Sequence, residues 1–248
     1  LSLYDKPIFY GCFDRLNLVG GIGGNAKESS FVSGGPSHTY TQYSGLILKE
    51  LSGKYAHRIS TALDIKSSIL EYLKSKYSHI SIYNHPSIRD MRSFKWLDFQ
   101  VDIRYTMVVD ISDLAATWNG FEGQMRYRLK TEPELHSPSS YESFWELYRM
   151  QVEDEPLAKS IILSQVGRLW HTSNTGVFCI EDEPFTYFLF GASEGDNCPT
   201  IYRAMKDSSW DGFRAFDLCG VNMANIARYK TGFGGELVDY FGGTLIKR

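Results

Sequence analysis

The sequence is poor in cysteine: Cys12, Cys179, Cys198 and Cys219 are the only four in 248 residues, and none stands in a Cys-x-x-Cys or Cys/His spacing. Nothing therefore points to a zinc module or a disulfide framework, and a reducing, cytoplasmic setting is the expectation. The six histidines are dispersed, with no His-x-x-x-His pair, so no metal site is expected. Gly-x-Ser-x-Gly and the Walker loop are also missing, which removes the motif-borne forms of serine hydrolysis and nucleotide hydrolysis. No apolar run is long enough to span a bilayer and no signal-peptide pattern is present, so no integral membrane segment is expected. The sequence starts at Leu1 rather than Met, which leaves that lack of a targeting pattern with little weight. A basic excess is lacking too: the formal net charge is -3, so DNA is not an expected partner and any nucleic-acid contact has to come from a local patch.

What is present is ample core material, 43% hydrophobic with 15% aromatic, enough for one large domain or two small ones. Pro7 to Phe13 and Asn17 to Ile22 read as two strands joined at Asp14-Arg15. Gly20 to Ala26 matches Gly-x-Gly-x-x-Ala, but no amphipathic helix follows to offer its N-terminus to a pyrophosphate, so a Gly-rich hairpin or loop is the better account. From about Lys54 to Tyr77 the spacing of Ala62, Ile65, Ile69, Leu73 and Tyr77 predicts a helix, with Thr61 and Asp64 in a capping-box pattern. Ser78 to Tyr83 and Phe99 to Ile111 read as strands. Ser112 to Lys130 reads as one helix capped by Ser112 or Asp113, and its end, Arg126-Tyr127-Arg128-Leu129-Lys130, is the densest basic cluster. A Pro/Ser-rich link at about 131–140 follows, then helices over Tyr141 to Val152 and Leu157 to Trp170.

The order of elements recurs. Thr61 to Ile111 runs helix, strand, a short turn or helix, strand, and Pro199 to Ile246 runs the same way; each follows a hairpin, Ile8 to Ile22 in one case and Val177 to Gly191 in the other. Duplicated units of this kind imply two similar α+β lobes, placed at 1–115 and 116–248.

The stretch from Gly212 to Tyr240 closes the second unit. Phe213 to Cys219 reads as a strand ended by Gly220, Asn222 as an N-cap, Met223 to Thr231 as a short helix with Lys230 at its C-terminus, and Gly232 as a left-handed stop. Phe233-Gly234-Gly235 leads into a second strand from Glu236 to Phe241. Asp217, Gly220, Lys230 and Phe233-Gly234-Gly235 resemble the end of the FemA/FemB-like aminoacyltransferases and of the wider GNAT (GCN5-related N-acetyltransferase) group. Further matches are Asp90, Arg92, Phe94 and Trp96, then Arg104-Tyr105-Thr106. Thr41-Gln42-Tyr43-Ser44-Gly45 stands where related proteins carry Thr-Pro-Tyr-x-Gly, with Gln42 replacing the proline.

The resemblance implies an α+β fold of two tandem GNAT-like lobes, with mixed, mostly antiparallel sheets and flanking helices. It also implies a transferase that moves an acyl or aminoacyl group onto an amine of a cell-envelope, peptidoglycan or carbohydrate precursor. Such a transfer needs an acyl donor held along splayed strands, an amine able to lose its proton, and donors at the developing oxyanion. Asp90 is then the candidate base or amine-orienting carboxylate and Lys230 the candidate for stabilising developing charge. Tyr43, Arg92, Trp96, Tyr105, Arg126, Arg128, Lys130, Asp217, Arg228, Phe233 and Gly234 are the candidate substrate-binding residues. For each charged residue an ordinary surface pair or helix-end charge is the competing account. The coenzyme A cradle, Gln/Arg-x-x-Gly-x-Gly/Ala, is approached only by Gln42 to Ile47 and fails at its last position. No bound cofactor is expected, and the donor is an aminoacyl-tRNA or an acyl-CoA. Charged tRNA is thus a candidate partner. The alternatives are an acyl-CoA-dependent N-acetyltransferase with a degenerate loop, or a non-catalytic binding module for a phosphorylated precursor. On this reading Lys230→Ala lowers transfer and leaves thermal stability nearly intact.

Overall fold

A computed structural model describes residues 7–35, 42–130, 133–135, 140–152 and 156–247. Its elements are, in order, β1 (Pro7–Asp14), β2 (Asn17–Lys27), β3 (Ser30–Ser33), β4 (Leu46–Leu48), α1 (Tyr55–Lys76), β5 (His79–Tyr83), α2 (Arg92–Trp96) and β6 (Gln100–Asp110). Then follow α3 (Leu114–Gly120), α4 (Gly123–Arg128), α5 (Tyr141–Arg149), α6 (Pro156–Leu163), β7 (Arg168–His171), β8 (Thr175–Asp182), β9 (Phe185–Ser193), α7 (Cys198–Trp210), β10 (Ala215–Asp217), α8 (Ala224–Thr231) and β11 (Glu236–Ile246). The residues cluster into two compact units, Ser2–Arg104 with Asp239–Arg248, and Tyr105–Val238, so the division falls inside β6 and β11.

In the first unit the strand order is β1-β2-β3-β5-β11, with β4 against β2. All pairs are antiparallel except β3 with β5. Helix α1 lays Ile65, Ile69, Leu70 and Leu73 on one face of these strands, against Ile22, Phe31, Ile80 and Ile82. This apolar spacing is the signal that makes the segment a helix, since its first turn has neither a side-chain cap nor an acidic residue.

The second unit repeats the pattern with β7-β8-β9-β10-β6, antiparallel throughout except β9 with β10. Helix α7 covers one face, with Ile201 and Met205 in a core with Val177, Cys179, Trp170, Phe216 and Phe233. The α+β class and the mostly antiparallel pairing agree with the sequence expectation. So does the recurrence, α1-β5-α2-β6 against α7-β10-α8-β11. By strand order the hairpin β8–β9 corresponds to β2–β3, and β7 to β1. The last strand of each repeat is exchanged: the later part of β11 pairs with β5 in the first unit, and the later part of β6 with β10 in the second.

Several local expectations are corrected. The helix expected over 112–130 is two short ones. Asp113 does cap α3, accepting from Ala115 and Ala116 N–H at 2.9 and 3.2 Å, but the chain breaks after Gly120 so that Phe121 can enter the core. The helix expected to reach Trp170 ends at Leu163, and Arg168–His171 is an edge strand; at Gly167 a side chain would strike the Cys179 carbonyl. Thr61 and Asp64 lie inside α1, which starts at Tyr55. Of the hairpin or loop expected at Gly20 to Ala26, the hairpin holds: the segment lies in β2, antiparallel to β1 and β3. Asn222 does not cap α8: its Oδ1 accepts from Tyr105 N–H at 2.9 Å and its Nδ2 donates to the Tyr105 carbonyl at 3.1 Å. Gly232 has φ -58, and the left-handed residue is Gly234 at φ 64. The expected link at 131–140 and Thr41 lie largely or wholly outside the described residues.

Candidate functional site

In the second unit the parallel strands β9 and β10 are paired only from Phe185 to Tyr187 and from Ala215 to Asp217; β9 then runs on to Ser193 while β10 stops. A fork opens there, and the sequence fixes both its arms. At its base Asp217 is fully buried, with Oδ1 accepting from Thr106 Oγ1 at 2.5 Å and from Cys219 N–H at 2.7 Å. Cys219, at φ 54, turns the chain so that the carbonyls of Leu218, Cys219 and Gly220 all face Lys230 Nζ, at 2.6, 2.6 and 3.1 Å. A lysine ammonium has three protons, and here each has an acceptor. The same Nζ stands 5.6 Å from the ring centroid of Phe188 on β9. Lys230 therefore props the fork from α8, and burial pushes its pKa down.

The neighbouring phenol and thiols are held in their neutral forms. Burial raises the Tyr187 phenol and, strongly, the Cys219 thiol, with the Asp217 charge adding to both. Burial also pushes Cys198 up to about 12 and Cys179 well above the usual thiol range. None of these three thiols has the thiolate character that nucleophilic catalysis requires.

The first unit has a corresponding fork beyond the β3–β5 pairing, but main chain fills it. Gly34 and Gly35 stand at φ 70 and 97, and Gly35 N–H donates to the Gln42 carbonyl at 3.2 Å. Ser44 N–H then donates to the Tyr83 carbonyl at 2.9 Å, Gly45 N–H to Ser33 Oγ at 2.9 Å, and Leu46 N–H to Asn84 Oδ1 at 3.0 Å. Gly45 is at φ 68 and any side chain would press into Asn84, which explains the glycine in the Tyr43-Ser44-Gly45 sequence. Tyr43 stands edge-on to His85 and Tyr240, with centroids at 5.3 and 5.2 Å, and Gln42 Nε2 donates to the Tyr240 hydroxyl at 3.1 Å.

Asp90 lies elsewhere in the first unit. Arg92 grips it with Nε and Nη2 at 2.9 Å each, and Lys66 Nζ reaches its carbonyl at 2.7 Å and its carboxylate at 3.5 Å. The Arg92 guanidinium first, then its backbone N–H and the Lys66 charge, hold the Asp90 carboxyl down at about 2. Such a group takes up protons poorly at neutral pH and is better suited to orienting an ammonium or amine. Trp96 is 62% exposed, with the Arg92 guanidinium 5.9 Å from its ring.

The remaining candidates divide by their partners. Arg128 of α4 is held by both oxygens of Asp196, at 2.8 and 2.6 Å, and Arg126 donates to the Asn119 carbonyl at 3.2 Å. Lys130 lies over Tyr127 at 5.3 Å and Arg228 is exposed on α8. Phe233 is fully buried, edge-on to Phe121 and Tyr229, while Gly234 packs against the Gly120 carbonyl; both support the fork from below. Tyr105 is joined to the far arm of the fork through Asn222 and through its carbonyl, which accepts from Val221 N–H at 3.0 Å. The structure thus brings Asp217, Lys230 and Tyr105 to one fork, and Asp90, Arg92 and Trp96 to a patch of the other unit. The sequence reading named Thr106 only as part of a family match and gave no site role to Cys219, Phe188 or Lys66. Lys66 carried a signal, a lysine on the apolar stripe of α1 beside Ile65 and Ile69. Among the described residues no group of three His, Cys, Asp or Glu side chains is placed to hold a metal ion.

No family model matches the sequence, and no curated protein does. Solved structures do match the fold. FemX aligns at TM-score 0.63 over 95% of this chain and 87% of that one, at 13% identity. L-PGS from Bacillus licheniformis aligns at 0.58 over 93% and 82%, at 10% identity. A tandem GNAT protein from the clavulanic acid biosynthesis pathway aligns at 0.56 over 97% and 83%, at 11% identity. The chain shares the fold of these structures, an α+β arrangement of two tandem GNAT-like units.

Proposed function

We propose that this protein is a transferase that moves an acyl or aminoacyl group onto an amine of a cell-envelope or carbohydrate precursor. The observation that supports this most is the fork in the second unit. Beyond Tyr187 the β10 side of β9 has lost its strand partner, so an amide-bearing donor laid along it can hydrogen-bond as a substitute strand. The acyl carbonyl then lies toward Lys230. When the neutral acceptor amine attacks, its lone pair forms the new C–N bond and the carbonyl electrons move to oxygen; collapse of that oxyanion expels the donor's ester or thioester oxygen or sulfur with its electron pair, and that leaving group takes up the proton that the amine nitrogen gives up. Lys230 meets the oxyanion by releasing the longest of its contacts, that to the Gly220 carbonyl, which is the role assigned to it here.

The donor is proposed to be an aminoacyl-tRNA. In the simple GNAT enzymes that this fold resembles, the coenzyme A pyrophosphate meets backbone N–H groups where a loop opens a helix. Here that helix is α7, and the Cys198 N–H at its start is occupied at 2.9 Å by Asp196, which Arg128 pins in place. A carboxylate at that point opposes a second anion. Calorimetric titration of the purified protein with acetyl-CoA and, separately, with a mixed aminoacyl-tRNA pool tests this. The expected result is silence with the coenzyme and salt-sensitive binding of charged tRNA. Micromolar coenzyme binding, about 8 kcal/mol, would instead establish the acyl-CoA alternative.

A further inference from the structure

Strand β1 ends the first unit's sheet: β2 is its only strand partner among the described residues, so the backbone groups of its other edge point outward over Pro7–Asp14. Its counterpart β7 is protected in the ways that natural sheet edges are. β7 has four residues, and it opens on Arg168, whose guanidinium is paired with Asp211 and Glu181. The face of the second unit turned away from α7 is also covered, since Phe144 of α5 packs on Gly176 while Tyr141 and Tyr148 meet Phe178 and Phe190 at 6.3 and 5.3 Å.

The first unit is less protected: Pro7 opens β1, Asp14 closes it and its register with β2 shifts between Cys12 and Phe13. β1 is twice as long and carries no lysine or arginine. On the face opposite α1, Phe9, Phe13 and Ile47 are 75%, 61% and 68% exposed. Phe9 and Ile47, with Leu18, border a groove of about 470 Å³ floored by Gly11, Gly21 and Gly23. A contiguous apolar face of this kind beside an open edge marks an interaction surface.

The residues of β1 indicate the occupant. Phe9-Tyr10-Gly11-Cys12-Phe13 is nearly symmetric about Gly11, and its exposed residues alternate with half-buried ones. We propose that β1 pairs antiparallel with β1 of a second copy, about a two-fold axis at Gly11. That register sets Phe9 opposite the partner's Phe13 twice on the apolar face and Tyr10 opposite the partner's Cys12 twice on the other face. It closes both edges with main-chain hydrogen bonds, and the Phe13 ring, which lies over Gly11, meets the partner's at the axis. The inference does not depend on the proposed transfer reaction.

Sedimentation equilibrium of the full chain between about 1 and 100 µM tests it. The mass is expected to rise from the 28.3 kDa of one chain to twice that value. Phe9→Lys and Phe13→Glu, both at exposed positions, are each expected to keep the far-ultraviolet spectrum of the fold and to weaken association at least about tenfold. An equimolar mixture of the two variants should regain the dimer, because the new ammonium at position 9 then faces the new carboxylate at position 13. A wild-type chain that stays monomeric at 100 µM, a dimer that both variants leave intact, or a mixture that fails to recover would each overturn the proposal. A monomer that floats with phosphatidylglycerol vesicles would overturn it in favour of a lipid surface.

Discussion

Replacing Lys230 with alanine tests the central geometry, and the structure changes what the sequence alone led one to expect. On the sequence reading Lys230→Ala spares stability. In the structure its ammonium serves three carbonyls, at 2.6, 2.6 and 3.1 Å. Hydrogen bonds to a charged group contribute about 1.5–3 kcal/mol each, and part of that sum is offset by the cost of burying the charge. Leaving the carbonyls of Leu218, Cys219 and Gly220 turned inward without a donor should cost roughly 2–4 kcal/mol net. For a chain of this size that lowers Tm by roughly 5–15 °C. Lys230→Ala and Lys230→Met should both show it, because the loss lies in the donors and not in the volume of the side chain. Urea titration followed by tryptophan fluorescence measures the change at equilibrium, with aminoacyl transfer assayed on the same samples well below the melting temperature. A midpoint within about 0.5 kcal/mol of wild type for either variant would refute the three-carbonyl prop, whatever happened to transfer.

Asp90 makes a pH-dependent prediction. Its folded pKa lies below the unfolded value, so the stability it contributes is present in full above pH 3.8 and is lost as pH falls toward 2. Allowing for its partial exposure, Asp90→Asn should remove about 1–2 kcal/mol of the acid dependence in that window, measured by urea titration at pH 2.5 and 5. An unchanged acid slope would contradict the Arg92–Asp90–Lys66 grip. Gly234→Ala places a Cβ against the Gly120 carbonyl at a left-handed residue and should cost about 2–3 kcal/mol or more, read from the same denaturation curves. A neutral substitution there would mean that the turn before β11 is drawn wrongly.

The helical stripe of α1 was legible because Ile65, Ile69 and Leu73 repeat at helical spacing, and β1, β2, β5 and β6 because their runs end at recognisable turns. Short elements were not. Arg168–His171 has too few residues to show a period, and its strand identity comes from β8 beside it. Nor do the sequences of β6 and β11 record which strand each will pair with, so the exchange between repeats is invisible before folding. The two forks show the same limit. Tyr43 and Lys230 are visible as residues, but that main chain fills one fork and an ammonium props the other depends on contacts between segments far apart in sequence, such as Leu46 with Asn84 and Lys230 with Leu218.

The exchange of β11 also sets a timetable for biosynthesis. Strand β5 ends at Tyr83, whereas the part of β11 that pairs with it begins near Gly242. At the pace of a ribosome about 150 residues take roughly 10–30 s to emerge, and for that interval the half-finished unit shows a bare strand edge to the cell. Its maturation therefore waits on the emergence of β11 rather than on that of β5 itself, and the nascent chain carries that exposed edge throughout the wait.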